Sequence, residues 1–120
     1  MTESEMKQRT KTFALRVIKL VNALPARLPA RRIADQLVRS ATSVGANYRA
    51  ACRARSRADF LAKLGVVEEE ADESAFWLEL LIESGLMPSS RLAGLLNEAN
   101  EITAIIVASR KTAAHLPRTD

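Results

Sequence analysis

The 120-residue sequence contains only one cysteine, four glycines, four prolines and five aromatic residues. A single cysteine cannot form a disulfide within the chain, which excludes a fold held by internal disulfides. The low glycine and proline content excludes collagen-like and low-complexity chains. Because β-sheet cores favour aromatic and β-branched side chains, the shortage of aromatic residues beside frequent Ala, Leu, Glu and Arg favours helices. We therefore predict an all-α protein.

Long apolar runs are also missing from the sequence. No run approaches the roughly 18 residues needed to cross a bilayer, so we expect no membrane partner. The first residues contain no cationic stretch that leads into an apolar signal core, and we expect a cytoplasmic protein. A chain of this length with 48% hydrophobic residues can bury one core, which predicts a single domain over residues 1–120.

Prolines and turn-forming residues divide the chain into four predicted helices. Apolar residues recur every three or four positions in each segment, which is the spacing of a helix that buries one face. Ser56 and Asp59 predict the start of the third helix, and Gly85 predicts its left-handed end. Such helices, joined by short connections, pack as an antiparallel up-down-up-down four-helix bundle. The predicted ranges are about 4–24, 30–54, 57–84 and 88–114.

Charge is distributed unequally between the two halves of the chain. Residues 1–57 contain 13 Lys/Arg and three Asp/Glu, whereas residues 58–120 contain five Lys/Arg and 11 Asp/Glu. Arginines of the second predicted helix lie within about 100° of one another, opposite its apolar stripe. A guanidinium holds a phosphate or a carboxylate through two parallel hydrogen bonds, so both kinds of partner remain open. The candidate nucleic-acid-binding residues are Arg31, Arg32, Arg39, Arg49, Arg53 and Arg57.

The third predicted helix supplies acidic side chains that could pair with those arginines. Its carboxylates flank the apolar stripe, and the expected partners are Arg39, Arg49 or Arg53. We predict no metal and no cofactor, because carboxylate-bridged metal bundles need Glu-x-x-His pairs and the only histidine is His115. Cys52 has no activating neighbour in sequence and is predicted to be a buried, inert thiol. The acids of this helix are Glu68, Glu69, Glu70, Asp72, Glu73, Glu79 and Glu83, of which Glu68, Asp72, Glu79 and Glu83 line one flank of the stripe.

One segment of the third helix is more apolar than a monomeric bundle requires. Apolar residues at 76–78 and 80–82 cover nearly its whole circumference, interrupted by Glu79. A helix that is apolar all round must be covered all round, whereas a bundle covers one side. We therefore predict a homo-oligomer whose interface contains Phe76, Trp77, Leu80 and Leu81.

No catalytic residues are predicted. The chain has no P-loop, no Gly-rich dinucleotide turn and no plausible Ser/His/Asp set. Arg110 and His115 reproduce the Arg-x4-His spacing of a class of small α-helical ribonucleases, which leaves RNA cleavage as one alternative. A second alternative is a protein-interaction scaffold whose charged faces are used in assembly or by a protein partner.

Several segments resemble a known family. They are Leu37-Val-Arg-Ser-Ala-Thr-Ser-Val-Gly-Ala-Asn-Tyr-Arg49, Ala51-Cys-Arg-Ala-Arg-Ser-Arg-Ala-Asp-Phe60, Lys63-Leu-Gly-Val-Val-Glu-Glu-Glu-Ala-Asp-Glu-Ser74 and Trp77-Leu-Glu-Leu80. The chain resembles the bacterial four-helix bundle proteins first noticed inside intervening sequences of 23S ribosomal RNA genes. This resemblance spans nearly the whole chain and implies an antiparallel four-helix bundle that assembles into a homopentamer, with no known catalytic residues.

A relative of that family adds an expectation about partners. The accessory protein of diversity-generating retroelements is a basic pentameric bundle that binds nucleic acid and a reverse transcriptase. The resemblance therefore implies RNA or DNA as a partner of the arginine face. The chain departs from the family at Ala50, where many members carry Glu, so any role of that acid beside Arg49 or Arg53 is in doubt.

Overall fold

The computed structural model describes residues 1–117, which form four α-helices: α1 (Glu3–Val21), α2 (Ala30–Cys52), α3 (Arg57–Glu83) and α4 (Ser89–Ala114). The all-α prediction is confirmed, and every helix end lies within three residues of its predicted position. The predicted domain extends to residue 120, so its last three residues lie outside the described part. Among residues 1–117, no helix is both long enough and apolar enough to span a membrane.

Local capping explains where the helices begin and end. Thr2 and Glu5 form a capping box at the start of α1, in which the Thr2 hydroxyl accepts a hydrogen bond from the Glu5 amide at 3.1 Å. At the start of α3, the Ser56 hydroxyl accepts from the Asp59 amide at 3.1 Å, as the sequence predicted. Gly85 follows α3 with a φ of 74°, a left-handed conformation that glycine adopts without steric cost.

The helices form a bundle 52 Å long and 20 Å wide in both other directions. Contacts connect neighbours in the chain, α1 with α2, α2 with α3 and α3 with α4, and the smallest contact closes the bundle between α1 and α4. Short connections make consecutive helices antiparallel, which gives the predicted up-down-up-down order. As a result, α1 has the most open surface on its two flanks.

The core is continuous along the bundle and almost entirely apolar. Two polar residues interrupt it between α2 and α3, where the hydroxyls of Ser40 and Ser74 lie 2.9 Å apart and satisfy each other. Each helix contributes side chains that are completely buried, among them Phe13, Leu37, Leu64, Leu78, Leu92 and Ile102.

The burial of Leu81 corrects the predicted oligomer interface. Its side chain is fully buried inside the single chain, so its assignment to an interface with another subunit is wrong. The reason is helical geometry, because Leu81 lies three residues after the buried Leu78 and therefore continues the core stripe of α3.

Candidate nucleic-acid interface

Arg39 is held by acidic side chains of α3. Its Nη1 donates a hydrogen bond to Glu70 at 2.8 Å, and its Nη2 donates to Glu73. Glu73 also accepts from the Trp77 indole at 3.1 Å. The indole hydrogen bond and then Arg39 lower the pKa of Glu73, while Glu73 and Glu70 raise the pKa of Arg39. Pairing of Arg39 with acids of α3 is confirmed, and its partners Glu70 and Glu73 are two of the acids that the sequence offered on that helix.

The grouping of Arg57 with the arginines of α2 is wrong. Helix α2 ends at Cys52 and Arg57 is the first residue of α3. The angular phase of α2 does not continue through the turn between them, so Arg57 does not extend its arginine face. The Arg57 guanidinium instead donates to the main-chain carbonyl of Pro117.

The remaining arginines of the predicted face point into solvent. Within residues 1–117, Arg31, Arg32, Arg49 and Arg53 make no ion pair with a carboxylate, and all four are exposed. The six predicted residues therefore divide into Arg39, bound to acids, Arg57, on another helix, and four exposed guanidinium groups. Only the last four are placed to receive an external anion.

Two of the exposed arginines line a groove between α1 and α2. It has a volume of about 560 Å³, and opposite Arg49 and Arg53 it is lined by Lys7 and Lys11 of α1. We call it the basic groove. Its lining within residues 1–117 contains four cations and no carboxylate, the remaining residues being Ser4, Gln8, Ala14, Thr42, Gly45 and Ala46. The groove is therefore a concentrated positive surface.

Helical spacing positions the four cations of the basic groove. Lys7 and Lys11 are four residues apart and lie on one side of α1, whereas Arg49 lies in the last turn of α2 and Arg53 is its C-cap residue. Gly45 lies against α1, where a Cβ would make an ordinary van der Waals contact with the main chain of Thr10 at 3.6 Å. Sequence reasoning missed the two lysines, although each directly follows a core residue, Met6 or Thr10, on the flank that meets α2.

The outer face of α3 retains three of the four predicted interface residues. Phe76 is 49% exposed and packs edge-to-face on Trp77, with ring centroids 5.1 Å apart. Trp77 and Leu80 are half-buried in the single chain. We call these three residues the α3 apolar patch, and it gives the chain an aromatic surface available for contact.

The Arg-x4-His pair lies on a separate cavity. Arg110, Lys111, His115 and Glu68 line a space of about 380 Å³ beside α3 and α4. Arg110 donates a hydrogen bond to Glu68 at 2.5 Å, and the His115 Nδ1 lies 2.6 Å from the Lys111 carbonyl oxygen. Both residues do meet on one cavity, but the Arg110 guanidinium is engaged by a carboxylate. No three His, Cys, Asp or Glu side chains in residues 1–117 are grouped as metal ligands.

Cys52 is half-buried at the end of α2, and not fully buried as the sequence predicted. It lies beside α3 and the start of α1, in an open space lined by Glu3 and Phe60. Burial raises the pKa of the thiol. The protonated thiol is a weak nucleophile, which agrees with the predicted inert side chain.

Comparisons with known proteins identify a matching family and a similar solved structure. The family described as 23S rRNA-intervening sequence protein matches residues 2–108. A crystal structure of a protein of unknown function from the S23 ribosomal protein family of Bacteroides thetaiotaomicron superposes with a TM-score of 0.82 and 33% identity. The superposition covers 92% of this chain and 99% of that one. The search of curated proteins finds no match.

Proposed function

This chain belongs to the 23S rRNA-intervening sequence protein family, and we propose that it is a homo-oligomeric, non-enzymatic, cytoplasmic protein that binds the backbone of RNA or DNA. The basic groove supplies the contact surface, with Arg49, Arg53, Lys7 and Lys11 as the groups that receive phosphates. Arg31 and Arg32 lie at the other end of α2, about 26 Å from Arg49 along the helix, and extend the cationic surface beyond the groove.

The observation that carries the proposal is the absence of carboxylates from the lining of the basic groove. Elsewhere in residues 1–117, Arg9, Arg39 and Arg110 each form an ion pair with a glutamate, whereas the groove cations form none. Four cations held close together repel one another, and a bound polyanion relieves that repulsion while releasing its own counterions. Because phosphate contacts carry no sequence information, the expected binding is independent of sequence and falls steeply with salt.

Assembly through the α3 apolar patch is the second part of the proposal. Phe76, Trp77 and Leu80 form a compact aromatic and aliphatic surface whose burial in an oligomer removes apolar area from water. A homopentamer is the assembly that the family resemblance implies. Repeating the basic groove around a ring would give one polyanion several contact surfaces.

A second candidate function is a protein-interaction scaffold, and a specific observation favours it. Helix α3 exposes acidic side chains beside Phe76, opposite in charge to the groove between α1 and α2. The basic groove of one copy could therefore receive the acidic face of another, which would use the cations in assembly. The exposed acids are Glu69, Asp72, Glu79 and Glu83.

The test of nucleic-acid binding reverses the charge of the groove. The double variant Arg49→Glu/Arg53→Glu is compared with the wild type in a salt titration with single-stranded and duplex RNA and DNA. We expect its affinity to fall about tenfold or more at low salt, with a shallower salt dependence, because two phosphate contacts are lost. The matched control is Lys63→Glu/Lys111→Glu, which makes the same charge change on α3 and α4 and should weaken binding by no more than about twofold.

Light scattering on the same variants separates the two candidate functions. Loss of binding by an intact oligomer supports the nucleic-acid surface. If the wild type binds none of the four nucleic acids and the groove variant dissociates, nucleic-acid binding is overturned in favour of the scaffold. Phe76→Ser/Leu80→Ser should reduce the oligomer to smaller species, and an unchanged mass would contradict the assembly surface.

Catalysis is tested on the cavity that contains His115. Prolonged incubation with RNA should leave it intact for the wild type and for His115→Ala alike. Cleavage by the wild type that His115→Ala abolishes would contradict the proposal and establish the Arg110/His115 ribonuclease.

A further inference from the structure

A second cationic cleft lies on the opposite flank of α1, between α1 and α4. Arg16, Lys19 and Arg91 line a space of about 330 Å³ whose floor is formed by Leu20 and Leu95. Within residues 1–117 these three cations make no ion pair, and no carboxylate lines the cleft. We call it the α1/α4 cleft. Like the basic groove, it combines exposed cations with the absence of a local acidic partner.

The Arg16 guanidinium lies beside a glycine of α4. A Cβ at Gly94 would lie 3.4 Å from the Arg16 Nη2, so the guanidinium lies directly over the α4 backbone where a larger residue would crowd it. Glycine inside a helix costs about 1 kcal/mol relative to alanine. Gly94 lies at the point where Arg16 crosses to α4.

The nearest acid on α4 is already occupied. Glu98 accepts hydrogen bonds from the Arg9 Nε and Nη2, both at 2.7 Å, so its two oxygens have a partner. The charge of Arg16 adds only a further small lowering of the pKa of Glu98, behind the effect of Arg9. Arg9 thereby neutralises the acid that would otherwise compete for Arg16, and leaves the cleft positive.

The two cationic sites flank one exposed strip of α1. Lys7 and Lys11 face the basic groove, Arg16 and Lys19 face the α1/α4 cleft, and Leu15 projects between them with 56% of its surface exposed. At 1.5 Å per residue, Lys7 and Lys19 are about 18 Å apart along α1. The nearest cations of the two sites, Lys11 and Arg16, are about 7.5 Å apart along the axis. Because the phosphates of one strand follow one another about every 3.4 Å along a duplex axis, about three nucleotides reach both sites and about six span all of their cations.

We infer that the α1/α4 cleft is a second phosphate-binding site, and that one nucleic-acid strand crosses α1 from the basic groove to this cleft. The inference rests on the proposed function and extends it, because it places the interface on both sides of α1. A strand longer than about six nucleotides gains the full second set of phosphate contacts, whereas a strand of about two can occupy only one site. The dependence on strand length identifies the crossing.

The test compares two strand lengths on cleft and groove variants. The cleft variant is Arg16→Glu/Arg91→Glu, and Arg49→Glu/Arg53→Glu and Lys63→Glu/Lys111→Glu are the matched double charge reversals. For a single strand of about 15 nucleotides, the cleft variant should lose about tenfold in affinity, and the log–log salt slope should become shallower by about one. For a strand of about two nucleotides, its affinity should change by no more than about twofold, because the intact groove still binds it.

Other outcomes distinguish this inference from the proposed function. A cleft variant that behaves like Lys63→Glu/Lys111→Glu, while the groove variant still weakens binding, overturns the crossing and leaves the groove in place. Equal losses for the short and the long strand would also overturn it, since the cleft would then act as an independent site. If the wild type binds no nucleic acid, both the crossing and the proposed nucleic-acid binding are overturned. Arg16→Gln/Arg91→Gln adds no negative charge beside Glu98 and should also lower the affinity for the long strand. A loss shared by both variants is then not a result of misfolding caused by the charge reversal.

Discussion

Arg39 and Arg49 lie on the same helix, yet their surroundings are opposite. Arg39 faces α3 and donates hydrogen bonds to Glu70 and Glu73. Arg49 faces α1 and shares the basic groove with Lys7, Lys11 and Arg53. The two arginines are about 80° apart around α2 at 100° per residue, and that rotation is enough to turn each one toward a different neighbouring helix.

The comparison shows that a row of arginines is not one site. The charge of the facing helix decides what each guanidinium binds, and α3 is acidic where α1 is basic. An arginine between carboxylates has its donors satisfied and contributes to the joining of two helices. An arginine among lysines keeps its donors for an external anion.

The largest expected effect comes from removing the buried side chain that holds α2 in place. Leu37 is fully buried on the face of α2 opposite the arginines. Leu37→Ala should lower the free energy of unfolding by about 2–5 kcal/mol, because it leaves a cavity in a packed core. Urea denaturation measures this, and Leu15→Ala, on an exposed side chain of α1, should change it by less than about 0.5 kcal/mol. A loss at Leu37 no larger than that at Leu15 would contradict the packing of α2.

The fold was predictable because local signals agreed with one another. The spacing of Phe13, Val17 and Leu20 in α1 is repeated in kind along all four helices, and the turns contain the residues that stop helices. Ser56 and Gly85 located the ends of α3 to within one residue. Leu81 was assigned to the wrong surface because a helix that is apolar on nearly every side does not reveal which leucines face inward.

The candidate site was only partly predictable. Sequence spacing identified the arginines of α2, but it could not say that Glu70 and Glu73 would capture Arg39, since that depends on the rotation of α3 against α2. Lys7 and Lys11 were missed because they belong to another helix and meet Arg49 and Arg53 only after packing. Arg57 was misplaced because the turn after Cys52 breaks the helical phase.

Arg9 offers a smaller effect that sharpens the contrast, because within residues 1–117 it is the only cation of α1 that forms an ion pair. It is bidentate to Glu98 across the small α1–α4 contact, with side chains 23% and 16% exposed. Its hydrogen bond lowers the pKa of Glu98 below the ordinary value. A carboxyl with a lowered pKa contributes stability that is present above its unfolded pKa, about 4.3, and is lost as pH falls through its folded pKa.

Arg9→Gln should therefore destabilise the protein by about 1–2 kcal/mol at pH 7. The difference from the wild type should shrink as the pH falls below about 4.3, because protonated Glu98 no longer gains from the arginine. Urea denaturation at several pH values measures both. Lys19→Gln, on an exposed cation without an ion pair in residues 1–117, should show neither the loss nor the pH dependence. A pH-independent difference for Arg9→Gln would mean that the ion pair does not form in solution.

The prediction with the smallest expected effect removes the acidic partners of Arg39. Glu70→Gln/Glu73→Gln removes both carboxylates from Arg39, while the side-chain amide introduced at position 73 would still offer an oxygen to the Trp77 indole. Arg39 would then resemble Arg49, and nucleic-acid affinity at low salt should rise about threefold to tenfold with a steeper salt dependence, as for one added phosphate contact.

The control for that exchange removes the same negative charge without freeing an arginine. Glu79 and Glu83 lie further along α3, exposed and without an ion pair in residues 1–117. Glu79→Gln/Glu83→Gln should raise affinity less than the exchange at 70 and 73, because it changes only the long-range field, which salt screens within about 10 Å at 0.1 M. Equal gains from the two pairs would show that net charge alone governs binding and that the pairing of Arg39 is irrelevant to it. A larger gain at 70 and 73 would show that the facing helix, by taking or leaving the guanidinium, determines which arginines of α2 bind an external phosphate.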